Sequence, residues 1–251
     1  MFRLLALDIG NTRLSAGRFD DSQLLWRRDF APELLPDLFS DFDQAAVDLC
    51  LVSDVRKDAA LKCVIEEFSK NVRVSFVSHE KLPLKIRYDS PQALGQDRIA
   101  NAMGARQYAP RHAVVVDFGT AIHFDILDGE GAFCGGPILP GIDLMLSALM
   151  QRMPHLRISP LDAKHLSPLA TNTSDAVHSG ILLCILGGIE RILKEIRTSL
   201  GVWPCVLLTG GQAGWFADRL AHDHWVPNLT LEGLCQIAQW HAGAQHARPV
   251  Q

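Results

Sequence analysis

The chain lacks any block of basic residues: 24 Lys and Arg stand against 28 Asp and Glu over 251 residues, a formal charge of −4. A dedicated nucleic-acid binder carries a basic face, so no nucleic-acid partner is expected. It also lacks an uninterrupted apolar run of the roughly 18 residues that span a bilayer. Its start, Met1 to Asp8, meets an acid too early for a signal peptide. The expectation is a soluble, cytoplasmic protein with no membrane partner. The six cysteines (Cys50, Cys63, Cys134, Cys184, Cys205, Cys235) contain no CxxC pair, and most sit in apolar stretches. They read as reduced core residues instead of a disulfide or zinc set. Absent too are the Gly-x-x-x-x-Gly-Lys-Ser/Thr loop, a Gly-x-Gly-x-x-Gly turn after a strand, a HExxH helix and a Gly-x-Ser-x-Gly elbow. A bound nucleotide would need another scheme, and serine-triad or zinc hydrolysis has no support. His222-Asp223-His224 has no third ligand at a recognisable spacing and reads as a surface turn.

What is present is ample core material, 48% hydrophobic residues, in an alternation of strands and helices. Phe2 to Asp8 predicts a buried strand that breaks at Gly10-Asn11-Thr12 and resumes over 13–18, with a third strand over 23–29 after Asp20-Asp21. A short helical piece over 32–39, a strand over 48–53, an amphipathic helix over 55–69, a strand over 72–77 and a helix over 91–108 follow. At Ala113 the pattern restarts: AVVVD ends in Asp117 and runs into Phe118-Gly119-Thr120, as the first strand ran into its own glycine turn. Asp8 and Asp117 stand 109 positions apart, about one small domain. Strands over 121–127 and 133–138, a helix beyond Pro140-Gly141, a helix over 174–200 interrupted in composition by Gly187-Gly188, a strand over 205–208 and a helix over 231–242 complete the second half. The domain boundary falls near Arg111.

A strand that ends in Asp-x-Gly with Asn or Thr suits a polyphosphate and its metal. The carboxylate holds the ion, glycine lets backbone amides approach the anion, and Asn and Thr donate hydrogen bonds. One such loop is often a simple hairpin turn, and the repetition gives it weight. Thr209-Gly210-Gly211 suits close approach of a nucleotide to backbone, or is an ordinary strand-to-helix turn. In Leu94-Gly95-Gln96-Asp97-Arg98 the aspartate can accept a proton while the arginine holds an anion, or the pair is a capped, solvated ion pair. Gly135 to Gly141 wraps substrate or forms a rigid loop. Met145, Leu146, Leu149 and Met150 recur at helical spacing and read as core or subunit interface.

In order along nearly the whole chain stand DIGNTR from Asp8, Tyr88 ahead of Gly95 to Arg98, DFGTA from Asp117, GGPILPG from Gly135, TNTSDAVHSG from Thr171 and LTGG from Leu208. Each is loose alone; as an ordered set they resemble the type III pantothenate kinases, within the acetate and sugar kinase, Hsp70 and actin superfamily. The resemblance implies an α/β fold of two duplicated ribonuclease H-like (actin-like ATPase) domains, 1–111 and 112–251, with a nucleotide cleft between them. It implies ATP-dependent phosphorylation of pantothenate to 4'-phosphopantothenate, the first step of coenzyme A biosynthesis, by a homodimer.

By the same resemblance Asp97 is the general base, and Asp8, Ile9, Gly10, Asn11, Thr12, Arg13, Leu14 and Ser15 embrace the ATP phosphates, with Asp8 toward magnesium. Thr120 adds a phosphate contact, and Asp117 binds a monovalent cation, K+ or NH4+. Tyr88, Gly95, Gln96, Asp97, Arg98 and Thr173 line the pantothenate pocket. Three positions depart from the family pattern: Gln96, Ile99 and His123, the last in place of a hydroxyl residue. A positive imidazolium at His123 would make activity depend on pH near neutrality. The competing classes are a non-catalytic nucleotide-binding regulator and a kinase of another small alcohol on this fold. The intact Asp8, Asp97 and Asp117 speak against the first, and Tyr88 with Gly95 to Arg98 against the second.

Overall fold

The computed structural model describes residues 1–40, 47–155, 157–159, 161 and 167–246. Its elements run β1 (Arg3–Ile9), β2 (Leu14–Asp20), β3 (Gln23–Phe30), α1 (Leu35–Ser40), β4 (Leu49–Asp54), α2 (Ala59–Phe68), β5 (Val74–Phe76), α3 (Gln96–Ala105), β6 (Ala113–Phe118), β7 (Ala121–Leu127), β8 (Ile138–Pro140), α4 (Ile142–Arg152), α5 (Thr173–Leu200), β9 (Cys205–Thr209), β10 (His224–Trp225) and α6 (Leu229–His246). They divide into two units: Met1–Arg111 with Glu130–Cys134 and Asn228–Gln251, and His112–Gly129 with Gly135–Pro227.

In the first unit β1 is apolar on both faces because it lies at the centre of a sheet ordered β3-β2-β1-β4-β5. Asp21 takes the left-handed conformation (φ 50°) that turns β2 into β3. On one side β2 and β3 pair antiparallel; on the other β4 and β5 pair parallel. Leu5, Leu7, Ile9, Leu14, Cys50 and Val52 meet α1 and α2 in one core, where the Phe39 ring stacks on Phe68 with centroids 3.8 Å apart. The helix expected over 55–69 begins later, at Ala59, because the Asp58 carboxylate caps the amides of Ala60 and Leu61.

The division differs from the expected domains 1–111 and 112–251 at two segments, Glu130–Cys134 and the last helix, both of which go with the first unit. Amphipathicity shows that α6 has an apolar face, and here that face lies in the first unit, with Leu229, Leu231, Leu234 and Ile237 buried. It can approach α3 closely because the two helices meet through glycines: a β-carbon on Gly233 would overlap the carbonyl oxygen of Ala100, and one on Gly104 would lie 2.7 Å from that of Leu229.

The second unit repeats the topology, with order β10-β9-β6-β7-β8: an antiparallel meander on one side of β6 and two parallel strands on the other. β6 thus corresponds to β1, and Asp117 to Asp8. The strand expected over 133–138 is displaced to Ile138–Pro140, because Gly135 and Gly136 take positive φ (77° and 146°) and turn the chain. The two-residue β10 is too short to show a strand pattern in the sequence.

Helix α5 is continuous through Gly187-Gly188, capped at its start by Asn172 and at its end by left-handed Gly201. No apolar run here is uninterrupted, yet α5 is long and apolar enough to cross a membrane by length and composition alone: 28 residues, with an 18-residue window of mean hydropathy 1.6. Its polar positions there are mostly uncharged Thr, Ser, His and Gly, which break an apolar run while leaving the mean high. Ile181, Leu182, Ile185, Ile189, Leu193 and Ile196 form a stripe that packs into the second unit's core with Val114, Val116, Phe124 and Leu208.

The cysteines are all free thiols, but the core reading fits only two of them. Cys50 and Cys235 are buried, whereas Cys63, Cys134 and Cys184 are exposed. Cys63 lies on the outer side of amphipathic α2, which a local count of apolar neighbours does not reveal.

Candidate active site

In the first unit the candidate residues gather where the parallel strands β1 and β4 end. The turn after β1 is closed by the Gly10 amide donating to the Arg13 carbonyl at 2.9 Å, which leaves Asn11, Thr12 and Arg13 exposed. Ile9 and Leu14 are fully buried, so at these two positions only backbone can serve a ligand. Asp8 lies in register with Ser15 on β2 and Ser53 on β4. The Ser53 hydroxyl donates to Asp8 Oδ1 at 2.9 Å. The Ser15 hydroxyl instead donates to Asp29 Oδ1 at 2.6 Å, where Arg27 pairs with the same carboxylate at 3.0 Å. Ser15 is therefore directed along the sheet toward β3.

The next residue of β4 carries the geometry to α3. The Asp54 amide donates to Gln96 Oε1 at 2.8 Å. The Asp54 carboxylate accepts from the amides of Arg56 and Lys57, and Lys57 is held at φ 52°. Gly95 is the N-cap of α3, and the Asp97 carboxylate folds back over it to accept the Arg98 amide at 2.8 Å. An anionic side chain in the first turn is favoured by the exposed amides there. The result is a continuous connection from Asp8 through Ser53, Asp54 and Gln96 to Asp97. Gln96, expected as a pocket residue, has its side-chain oxygen committed to this connection. Ile99, another departure, is 2% exposed and fills core space.

Arg98 is buried, with its Cζ 5.5 Å from the centroid of the Phe133 ring. Tyr88 is exposed, its ring 6.4 Å from that of Phe133 and tilted by 50°. Phe133 was not among the sequence candidates. It stands 35 positions beyond Arg98 in the β7–β8 connection, and its only local signal is an aromatic residue shortly before Gly135-Gly136.

In the second unit β6, β9 and the turn into α4 approach through glycines. Gly119 donates to Ala121 O at 3.2 Å and Gly141 to Thr120 O at 3.0 Å, and a β-carbon on Gly141 would overlap the carbonyls of Gly119 and Thr120. Gly210 has φ 92°, and a β-carbon there would lie 2.5 Å from both Asp117 Oδ1 and Phe118 N. Asp117 pairs in register with His123, whose Nε2 lies 3.7 Å from Asp117 Oδ2 and whose Nδ1 lies 3.1 Å from Oδ2 of the buried Asp125. Thr120 is partly exposed, and Thr173 is exposed as the first residue of α5.

His222-Asp223-His224 is structural: Asp223 accepts the Val206 amide at 2.8 Å, and His222 Nδ1 lies 2.9 Å from the Leu220 carbonyl. Among the described residues no group of three or more His, Cys, Asp or Glu is arranged to hold a metal. The strand-end carboxylate of Asp8 has the donor chemistry magnesium uses when phosphates and water supply its remaining ligands.

Two sheets of the same order, each with a first strand leading through an aspartate into a glycine turn, give the chain an actin-like architecture. The same fold is found in MreB5 of Spiroplasma citri bound to ADP, with a TM-score of 0.59 at 13% identity, covering 99% of both chains. A Campylobacter jejuni protein named for the Baf family of transcriptional activators is similar at a TM-score of 0.63 and 25% identity, over 95% of this chain and 99% of its own. The sequence profile of the type III pantothenate kinases matches residues 4–195. The type III pantothenate kinase of Parafrankia sp. (strain EAN1pec) is 31% identical over 242 residues, 92% of this chain and 95% of its own length. The chain belongs to the type III pantothenate kinase family, enzymes that phosphorylate pantothenate with ATP in coenzyme A biosynthesis.

Proposed function

We propose that Asp97 is the general base of ATP-dependent pantothenate phosphorylation in this chain. As the primary hydroxyl oxygen of pantothenate bonds to the γ-phosphorus and the bond to the ADP oxygen breaks, the hydroxyl proton passes to the Asp97 carboxylate. Such transfer goes through a loose transition state, so the residue's main task is positioning. The observation that carries the assignment is the fixed orientation of Asp97 over Gly95, in the same first turn that Gln96 ties to the end of β4.

Asp8 carries the magnesium that accompanies ATP, and that ion, when bound, neutralises charge on the phosphate oxygens. Backbone amides over 9–13, with the side chains of Asn11, Thr12 and Arg13, take the phosphates; Ser15 supports the loop through Asp29. In the second unit Thr120 contributes a phosphate contact, and Asp117 is the ligand of a monovalent cation, K+ or NH4+. Arg98 grips the pantothenate carboxylate, and Tyr88, Gly95, Gln96 and Thr173 shape its pocket. The protein is a soluble cytoplasmic homodimer, for which Leu144, Leu149, Met150 and Met153 are exposed apolar residues on and just after α4. Met145 and Leu146 of the same helix pack inward.

The test is ATP-dependent phosphorylation of pantothenate with and without potassium, comparing wild type with Asp97→Asn. Potassium-dependent activity in the wild type, lost in the variant while ATP still binds, is the expected result. A wild type inactive with every cation yet able to bind nucleotide would favour the regulator or another alcohol substrate.

A further inference from the structure

We infer that Phe133 is a positioning residue for Arg98, holding the guanidinium against its ring so that it meets the pantothenate carboxylate in one orientation. This rests on the reading of Arg98 as the carboxylate grip. Phe133 is fully buried and Arg98 is 5% exposed, with the guanidinium carbon 5.5 Å from the ring centroid. That lies within the roughly 6 Å over which a ring quadrupole attracts a cation, an attraction that grows when water is excluded.

The ring's place is set by backbone. Phe133 N donates to Lys85 O and Arg87 N donates to Phe133 O, both at 2.8 Å, in a parallel bridge with Ile86. Two residues of the same short stretch also anchor the start of the Phe133 segment, as Lys85 and Arg87 both pair with Glu130. These two cations hold the Glu130 carboxyl below the ordinary glutamate value, Lys85 first. The stretch ends in Tyr88, whose ring meets that of Phe133. A segment that sequence order assigns to the second half is thus stitched into the first unit, where it brings an aromatic face to Arg98.

The experiment compares Phe133→Leu, Phe133→Tyr and Arg98→Gln, alone and with Phe133→Leu combined with Arg98→Gln. Substrates are pantothenate and the analogue in which a primary alcohol replaces the carboxylate. Phe133→Leu keeps an apolar side chain but removes the ring; the KM for pantothenate should rise about ten-fold, with kcat and the KM for ATP within about two-fold. Phe133→Tyr should restore the wild-type value, the analogue should not respond to Phe133→Leu, and adding Phe133→Leu to Arg98→Gln should have no further effect. An equal loss on both substrates, a loss carried by kcat, or full additivity with Arg98→Gln would overturn the inference. If Arg98→Gln leaves the preference for pantothenate over the alcohol intact, the reading of Arg98 is what fails. Thermal melting checks folding, and Phe133→Met takes the place of Phe133→Leu if the latter does not fold.

Discussion

Gly95 has no room for a side chain beside Asp97: a β-carbon there would collide with Asp97 Oδ1. The backbone at Gly95 is an ordinary one (φ −59°), so alanine is sterically allowed in every respect except this contact. The cheapest response to Gly95→Ala is rotation of the Asp97 carboxylate away from the Arg98 amide. The variant should fold, losing no more than about 1 kcal/mol because alanine is a poorer N-cap. Its kcat should fall by at least about ten-fold through misplacement of the base. Steady-state kinetics beside a denaturant titration check this; unchanged kcat would mean that the Asp97 position in α3 is not the productive one.

Ser53 is fully buried, and its hydroxyl donates to Asp8. Removing it takes one hydrogen bond from the carboxylate assigned to the nucleotide's magnesium and leaves Asp97 untouched. A hydrogen bond of this kind contributes about 1 kcal/mol, so Ser53→Ala should raise the KM for magnesium-ATP roughly five-fold. The KM for pantothenate should stay near its wild-type value. A Ser53→Thr variant retains the donor and should recover most of the loss.

The repeat that organises the molecule is legible in the sequence because both copies place an aspartate near the end of an apolar strand and a glycine turn after it. Asp8 and Asp117 therefore announce themselves without tertiary information. Phe133 and Ser53 do not, since what makes them useful is a partner 35 or 45 positions away, and nothing in their own neighbourhood encodes the pairing. Gln96 looks like a pocket residue by position, and only the fold reveals that the end of β4 takes its oxygen. Gly187-Gly188 looks like an interruption, yet among the described residues nothing beyond the helix's own backbone lies within 4 Å of a β-carbon placed at either glycine, and the capped helix absorbs both. The membership of α6 was hidden for a different reason: an apolar stripe specifies burial but not which sheet supplies it.

Burial raises the Cys50 thiol far above its normal value and pushes Cys235 up to about 12, with Glu232 and Asp21 adding to the latter. Thiolate is the reactive form, so both should resist alkylation in the native protein. Cys63, Cys134 and Cys184 are exposed. Mass spectrometry after a short iodoacetamide pulse should find those three labelled first and Cys50 and Cys235 only after unfolding. Early labelling of Cys50 would contradict its position in β4.

Arg3 and Asp48 join the starts of β1 and β4 at 2.7 Å, and the Arg3 side chain, followed by its amide, holds the Asp48 carboxyl below the ordinary value of 3.8. A carboxyl whose folded pKa is depressed stabilises the fold above its unfolded value and loses that contribution as pH falls through the folded one. Both side chains are about a third exposed, so the coupling should be under about 1 kcal/mol. A double-mutant cycle of Arg3→Ala and Asp48→Asn should show that coupling at pH 7 and none once the acid limb lies below the depressed value. Coupling that persists unchanged in acid would mean the pair acts through packing of the arginine stem.

Gly233 gives the sharpest test of how α6 completes the first unit. Its missing β-carbon would overlap the carbonyl of Ala100, a backbone atom of α3 that cannot swing aside as a side chain does. Within a helix alanine is intrinsically favoured over glycine by about 1 kcal/mol, so an isolated α6 would gain from Gly233→Ala. In the folded protein the two helices must separate instead, and overpacking of this kind costs about 1–3 kcal/mol or more. Gly233→Ala should therefore lower the denaturant midpoint markedly, and hydrogen exchange should rise along α6 and α3 while the β6–β9 core of the second unit stays protected. A variant as stable as wild type would show that α6 does not dock on α3 through these glycines.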